Sequence, residues 1–261
     1  MFAASKTKQV SSASVFVEDV MSTYLYTGNG STQTINNGID LSTYGGMLWL
    51  KSRDVVGVAA IINSISGNTK YLRPSLTNPE VTGTGVSSLN TNGFSLDYVT
   101  GAWNNPGTTY VSWTFRKQPK FFDVVTYTGT GANRTIAHNL GSTPGCIMVK
   151  RTDTTGNWQV YHNSLTSAAY SIQLNLTNAQ ASAPTVWNST APTSTVFSVG
   201  TTATLEGIGT LIMNANGAYT FRALPNWNGN VPLVTYTTNT GFTATLDIEV
   251  TPVNDAPSAA D

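Results

Sequence analysis

The feature that most constrains this chain is a long segment that occurs twice. "YTGNGSTQTINNGIDLSTYGGMLWLKSRD" (26–54) returns as "YTGTGANRTIAHNLGSTPGCIMVKRTD" (127–153). Tyr26 and Tyr127 stand 127 − 26 = 101 positions apart, Leu76 and Leu176 stand 176 − 76 = 100, and Phe94 and Phe197 stand 197 − 94 = 103. So steady an offset over about seventy residues means one fold used in tandem, because matched apolar and turn positions specify matched elements.

The repeated element is β. Short apolar or alternating runs recur from Tyr24 onward: "GMLWLKS", "YVSWTFR", "FFDVVTY", "GCIMVKR", "WQVYHN", "SIQLNL", "TVFSV", "GTLIMN", "AYTFRAL", "LVTYTT" and "ATLDIEV". Between them lie "TGNG", "NNG", "TNG", "NNPG", "GSTPG" and "NANG", whose glycines and asparagines suit hairpin turns. Many short strands with punctuated turns specify sandwich architecture. One segment differs: "VFVEDVMSTYLY" (15–26) predicts a short helix, with Ser14 as its cap and Glu18 and Asp19 in its first turns. The organisation is then an N-terminal arm and short helix (1–23), a first β domain (24–120), a second copy (121–200) and a C-terminal segment (201–261).

The copies end differently. The first closes with "TTYVSWTFRKQPKFF" (108–122), a good core strand, whereas the second runs on after Phe197 into "GTTATLEGIGTLIMNANGAYTFRALPNW". Either Ala218–Arg222 replaces the closing strand, or the second copy lacks it and keeps an open edge that another subunit would cover.

Composition narrows the function classes. Charged residues make up 10 % of the chain, against roughly 25 % in ordinary globular proteins. Thirteen basic and thirteen acidic residues cancel. The cluster Arg116, Lys117 and Lys120 is too small for a phosphate-binding or anionic-membrane surface, so no nucleic acid and no membrane insertion are expected. Hydrophobic residues at 40 % supply a core and exclude general disorder. The opening "MFAASKTKQVSSAS" lacks the apolar centre of a signal peptide, and no run reaches a span's roughly 18–20 apolar residues. The expectation is a soluble protein made without Sec export. Cys146, the single cysteine, sits in "GCIMVK" and is expected to be a small core residue.

Residues able to do chemistry form no recognisable constellation. Glycosidases need two facing carboxylates, and the thirteen acids show no such pair; Asp54 and Asp153 occupy equivalent repeat positions and read as turn or cap residues. His138, His162, Ser164 and Asp153 contain the residue types of a triad, but no GxSxG elbow supports one, and two lone histidines make no metal site. Glycine pairs such as "GNG" and "GIG" lack the spacing and the following helix of a phosphate loop. No catalytic residue, metal or cofactor is expected. Among the tryptophans, Trp49 and Trp113 lie within apolar alternation and read as core. Trp103 with Asn104 and Asn105 in "GAWNNPG", and Trp227 with Asn228 in "PNWNGN", read as loop-borne contact candidates, because an aromatic plane beside amides suits sugar binding.

The stretches "VFVEDVMSTYLYTGNGSTQTINNGIDL", "YVSWTFRKQPKFFDVVTYTGTGANRTIAHNLGSTPGCIMVKRTD" and "WQVYHNSLTSAAYSIQLNLTNA" resemble phage structural modules encoded near tail genes, notably in phages of cyanobacteria. "GTLIMNANGAYTFRALPNWNGNVPLVTYTTNTGFTATLDIEVTPVNDAP" resembles a cadherin-like or Ig-like repeat of large bacterial adhesins. Such repeats often bind calcium at module junctions, but here the acidic run before "GTL" is absent and only Asp255 matches. Together the resemblances imply an all-β protein with two related β-sandwich-like domains in tandem plus a small Ig-like C-terminal domain. They further imply a non-enzymatic virion component assembled in the host cytoplasm, a tail fibre or tail-tip subunit for host attachment. Its expected partners are itself as a homo-oligomer, with a trimer favoured, other virion proteins through the N-terminal arm, and host surface polysaccharide. A capsid decoration protein is the alternative, and a polysaccharide-degrading tailspike stands third.

Overall fold

The computed structural model describes residues 14–56, 59–83, 85–99, 102–200, 202–205, 208–213, 218–237 and 243–252. The N-terminal arm and the "VNDAP" closing motif lie outside these residues. The protein is all-β, its strands pairing antiparallel throughout, with one four-residue α-helix among the described residues. Chain compactness gives two units, one within Met1–Val125 plus Arg151–Gly156 and one within Thr126–Lys150 plus Asn157–Asp261. The sequence-based division at 200/201 falls inside the second unit.

The first unit contains β1 (Met21–Thr27), β2 (Gln33–Asn36), β3 (Gly46–Ser52), β4 (Ala59–Asn63), β5 (Lys70–Tyr71), β6 (Val81–Thr82), β7 (Val86–Asn90), β8 (Gly93–Leu96) and β9 (Thr109–Arg116). One sheet runs β1-β9-β3-β4 and continues through an Ile61–Leu72 bridge to the β5-β6 pair; a second runs β2-β8-β7. Period-2 alternation sends Leu48 and Leu50 of β3 to one face, where they join Ile35, Phe94, Leu96, Tyr26 and Tyr110 in one buried cluster. Tyr110, 1 % exposed, stacks on Tyr26 at 5.1 Å between ring centroids. Trp49 and Trp113 are not core residues. They are half-buried on the opposite sheet face, where β3 and β9 place them directly across from each other at 5.8 Å, edge to face.

The helix expected over 15–26 is corrected to a single 3-10 turn at Val17–Asp19 followed by β1. Asp19 accepts from the Phe16 N–H at 2.8 Å, closing the turn, and β1 then pairs with β9 along its whole length. Seven ladder positions and burial of Tyr26 outweigh weak helical spacing. The one α-helix, α1 (Leu41–Tyr44), begins at Asp40, whose carboxylate accepts from the Thr43 N–H at 2.8 Å.

The second unit contains β10 (Arg134–Ala137), β11 (Cys146–Val149), β12 (Gln159–His162), β13 (Tyr170–Gln173), β14 (Ala181–Ser182) and β15 (Val196–Val199). After these come β16 (Thr202–Leu205), β17 (Gly209–Met213), β18 (Tyr219–Ala223), β19 (Gly229–Asn230), β20 (Val234–Thr237), β21 (Thr243–Leu246) and β22 (Glu249–Val250). Its sheets are β10-β15, β11-β12-β13-β14, β16-β17-β18, β19-β22 and β20-β21.

The repeat reappears as strand register. Gln33↔Leu96 in the first unit becomes Arg134↔Val199 in the second (134 − 33 = 101; 199 − 96 = 103). Met47↔Asn63 becomes Cys146↔His162 (146 − 47 = 99; 162 − 63 = 99), and Lys70↔Thr82 becomes Tyr170↔Ser182 (170 − 70 = 100; 182 − 82 = 100). The Tyr26–Phe94 edge-to-face contact at 6.2 Å returns as Tyr127–Phe197 at 6.4 Å.

Two expected strands are missing from the second copy. "FFDVVTY" forms only an isolated Gln118–Phe122 bridge, and Ala218–Arg222 does not close the copy, because β18 pairs with β17 instead. The sheet β11-β12-β13-β14 therefore corresponds to β3-β4-β5-β6 without counterparts of β1 and β9. Of the two readings left by the sequence, the described residues have the open edge. Cys146 is accordingly exposed rather than a core residue.

Candidate functional site

The loop from Trp103 to Asn105 is an internal plug, which corrects its reading as a contact surface. Trp103 is 4 % exposed, packs edge-on against Tyr71 at 5.2 Å, and accepts the Tyr26 hydroxyl on its backbone carbonyl at 2.9 Å. Asn104 is 1 % exposed; its Oδ1 accepts from the Asn29 N–H at 3.0 Å and its Nδ2 donates to the Ser31 carbonyl. The half-buried Asn105 donates its N–H to the Tyr110 hydroxyl at 3.2 Å. An Asn-flanked aromatic can thus staple two loops together as readily as it can present a sugar platform. In the second unit Trp227 is half-buried against Phe221 at 6.2 Å, and Asn228 is exposed beside it. The structure groups the Trp103, Asn104 and Asn105 trio and leaves Trp227 with Asn228 as a separate, partly open turn.

Side chains of the types used in catalysis are engaged with backbone or with one another. Both Asp54 carboxylate oxygens accept from the Thr109 N–H, at 3.1 and 3.0 Å, which fixes the start of β9 and keeps the carboxyl below its ordinary pKa. Asp153 pairs with Arg151 at 2.8 and 3.0 Å, which lowers its pKa to about 2. His162 Nδ1 accepts the backbone N–H of Ser164 at 3.1 Å, leaving the serine hydroxyl to bond Asn163. Two of the three residues of the cationic cluster are likewise engaged: Arg116 lies 4.3 Å from the Tyr44 ring centroid and Lys117 pairs with Asp123 at 2.9 Å. Among the described residues no group of three or more His, Cys, Asp or Glu could hold a metal ion.

Two concavities remain. The first unit carries an open trough of about 450 Å³ edged by Asn68, Thr82, Ser87, Asp97 and Val99. Asn68 is fixed there by donating to the Val86 and Ser87 carbonyls, and Tyr98 stands exposed beside it. The trough's exposed lining is mainly apolar, with the Thr82 and Ser87 hydroxyls, the Asn68 amide and the Asp97 carboxylate among the polar groups at its edge. No sequence signal marks it, because its residues come from β6, β7 and the loops beside them, all of ordinary composition. The second unit holds a cavity of about 220 Å³ lined by Tyr127, Val149, Gln159, Val186, Trp187 and Val199. The indole Nε1 atoms of Trp187 and of Trp103 are both buried without a hydrogen-bond partner.

A family model described as a domain of unknown function, DUF7483, matches residues 17–245. No curated protein and no solved structure matches the chain.

Proposed function

We propose, for a chain that belongs to the DUF7483 family of domains of unknown function, a non-enzymatic structural role in a phage virion, as a tail-fibre or tail-tip subunit contributing to host attachment. The observation that carries the reading is mechanical. A sparsely charged chain repeats one β-sandwich-like unit with its strand registers intact, and Asp54, His162 and Arg116 are engaged with backbone or packed on a ring. Rigid modules of this kind suit assembly, because few flexible charged side chains need ordering at an interface. The family resemblance supplies the virion setting and the homo-oligomer, with the N-terminal arm as the attachment to other virion proteins. The open trough of the first unit, with Asn68, Thr82, Ser87 and Asp97 along its edge, is a better place for host polysaccharide than the buried Trp103.

Cryo-electron microscopy of the intact particle tests the proposal. Density for this chain at the tail tip or fibres, with the trough facing outward, supports host attachment. Density across capsomer junctions makes the chain a decoration protein instead. Release of sugar from host exopolysaccharide by the purified protein would replace both with a tailspike.

A further inference from the structure

Four observations in the second unit converge on one empty place. The first is topological: β3 is covered by β9, whereas β11, its counterpart, meets no strand on its outer edge among the described residues. The second is the cavity. Its lining includes Trp187 and Gly200, and its other five residues, Tyr127, Val149, Gln159, Val186 and Val199, are the repeat equivalents of Tyr26, Leu50, Ala60, Val86 and Leu96, at offsets of 101, 99, 99, 100 and 103. All five equivalents belong to the buried cluster that contains Tyr110 in the first unit, where Tyr26 stacks on its ring. The cavity therefore lies where a ninth strand would insert its aromatic side chain, and roughly 150 Å³ already accepts a benzene ring.

The third observation is a glycine. A Cβ on Gly46 would collide with the Phe115 carbonyl oxygen of β9, so close approach of that strand requires glycine there. Its counterpart Gly145 (145 − 46 = 99) keeps the residue, yet a Cβ would meet only the Asn163 side chain, at 3.8 Å. The fourth is the edge itself. "CIMV" carries no charge, proline or bulge to blunt pairing, and Cys146 is exposed where its counterpart Met47 is 6 % exposed.

We infer that the outer edge of β11 is a strand-accepting slot that takes an extended segment of another polypeptide, patterned like Thr109–Arg116, whose aromatic residue enters the cavity beside Tyr127 and Val149. The segment would run antiparallel to β11, as β9 runs to β3, giving main-chain hydrogen bonds for affinity and one side-chain pocket for specificity. A second copy of this chain cannot lend the described strand of that pattern. β9 is paired on both edges and its Tyr110 is buried, so its release would dismantle the first unit. The slot stands on registers and packing and does not depend on the virion reading.

The test uses the full chain and a synthetic peptide of residues 108–117, "TTYVSWTFRK", as the probe. Fluorescence anisotropy should show saturable binding of one peptide per chain. Replacing the peptide's tyrosine with alanine should weaken binding at least roughly tenfold, as loss of an aromatic anchor does. The Gly145→Ala chain should keep the parent's melting temperature, since its Cβ makes only an ordinary van der Waals contact with Asn163, and should lose peptide binding. Alkylation of Cys146 should slow when the peptide is present. Absence of saturable binding up to millimolar peptide overturns the slot, as does binding indifferent to the tyrosine or to Gly145→Ala. Self-association of the unliganded chain with Cys146 already shielded would overturn the choice of occupant.

Discussion

Leu50 and Val149 hold the same place in the repeat, on β3 and β11, yet Leu50 is fully buried and Val149 is half-exposed. Nothing in their own strands accounts for the contrast, because both are apolar residues paired in the same register with the strand that follows. The difference comes from the other side. β9 covers β3 and sends Tyr110 into the core, and no strand among the described residues does this for β11. Burial is thus set by neighbours that arrive from far along the chain, and a repeat can preserve strand, turn and register while losing the piece that completes them.

The sharpest way to break the comparison is to make the first unit resemble the second. Tyr110→Ala empties the same place and orphans the Asn105 N–H and the Ala102 carbonyl that its hydroxyl serves. It should cost about 3–5 kcal/mol, in the range of buried aromatic truncations. Urea unfolding followed by hydrogen exchange resolves the loss to the first unit, which matters because a chain of two units need not unfold in one step. A cost below about 1 kcal/mol would mean that Tyr110 is no keystone and that its absence from the second copy is of no consequence.

The paired truncations come next. Leu50→Ala should cost about 2–5 kcal/mol, and Val149→Ala no more than about 1 kcal/mol, since the latter removes atoms already half in water. Equal costs would show that β11 is covered in solution. Hydrogen exchange gives a milder reading of the same contrast. Amides of β3 bonded to β9 should be protected nearly to the level of global unfolding, whereas the amides of β11 that do not bond β12 should exchange orders of magnitude faster.

Much of this was legible in the sequence, and the reason is local. The offset of about one hundred residues fixed which segments correspond, and alternation fixed which faces they bury, so the all-β class and the mismatch after Phe197 were both readable. What failed depended on partners. Trp103 and Asn104 stand in a turn-rich loop that composition places at the surface, and only the fold shows that loop turned inward against Tyr71 and Asn29. Cys146 was expected in the core because its strand is apolar, an inference that presumes a neighbour. The segment 15–26 mixed two periods, and its pairing with β9 decided between them. The trough around Asn68 and Asp97 had no signature, since its shape comes from β6, β7 and loops distant in sequence that meet in the first unit.

The smallest predicted effect concerns Asp54 and Asp153, which one sequence pattern places at equivalent positions and two surroundings put to different use. Hydrogen bonding to the Thr109 N–H holds the Asp54 carboxyl below its ordinary value, and the Arg151 guanidinium holds Asp153 at about 2. Both folded pKa values are depressed, so each contribution is present above the unfolded carboxylate value of about 3.9 and fades as pH falls through the folded one. The consequences differ. Protonating Asp54 frees the first amide of β9, so acid should raise exchange at Thr109 before the rest of that strand responds. Protonating Asp153 releases only an exposed ion pair, with side chains 62 % and 68 % accessible, and should leave thermal stability unchanged. Carboxyl titration by NMR checks both, and Arg151→Gln should return Asp153 toward the ordinary range without moving Asp54. If Asp54 titrated normally while Thr109 stayed protected in acid, its carboxylate would not be what anchors β9, and the two aspartates would be interchangeable turn residues after all.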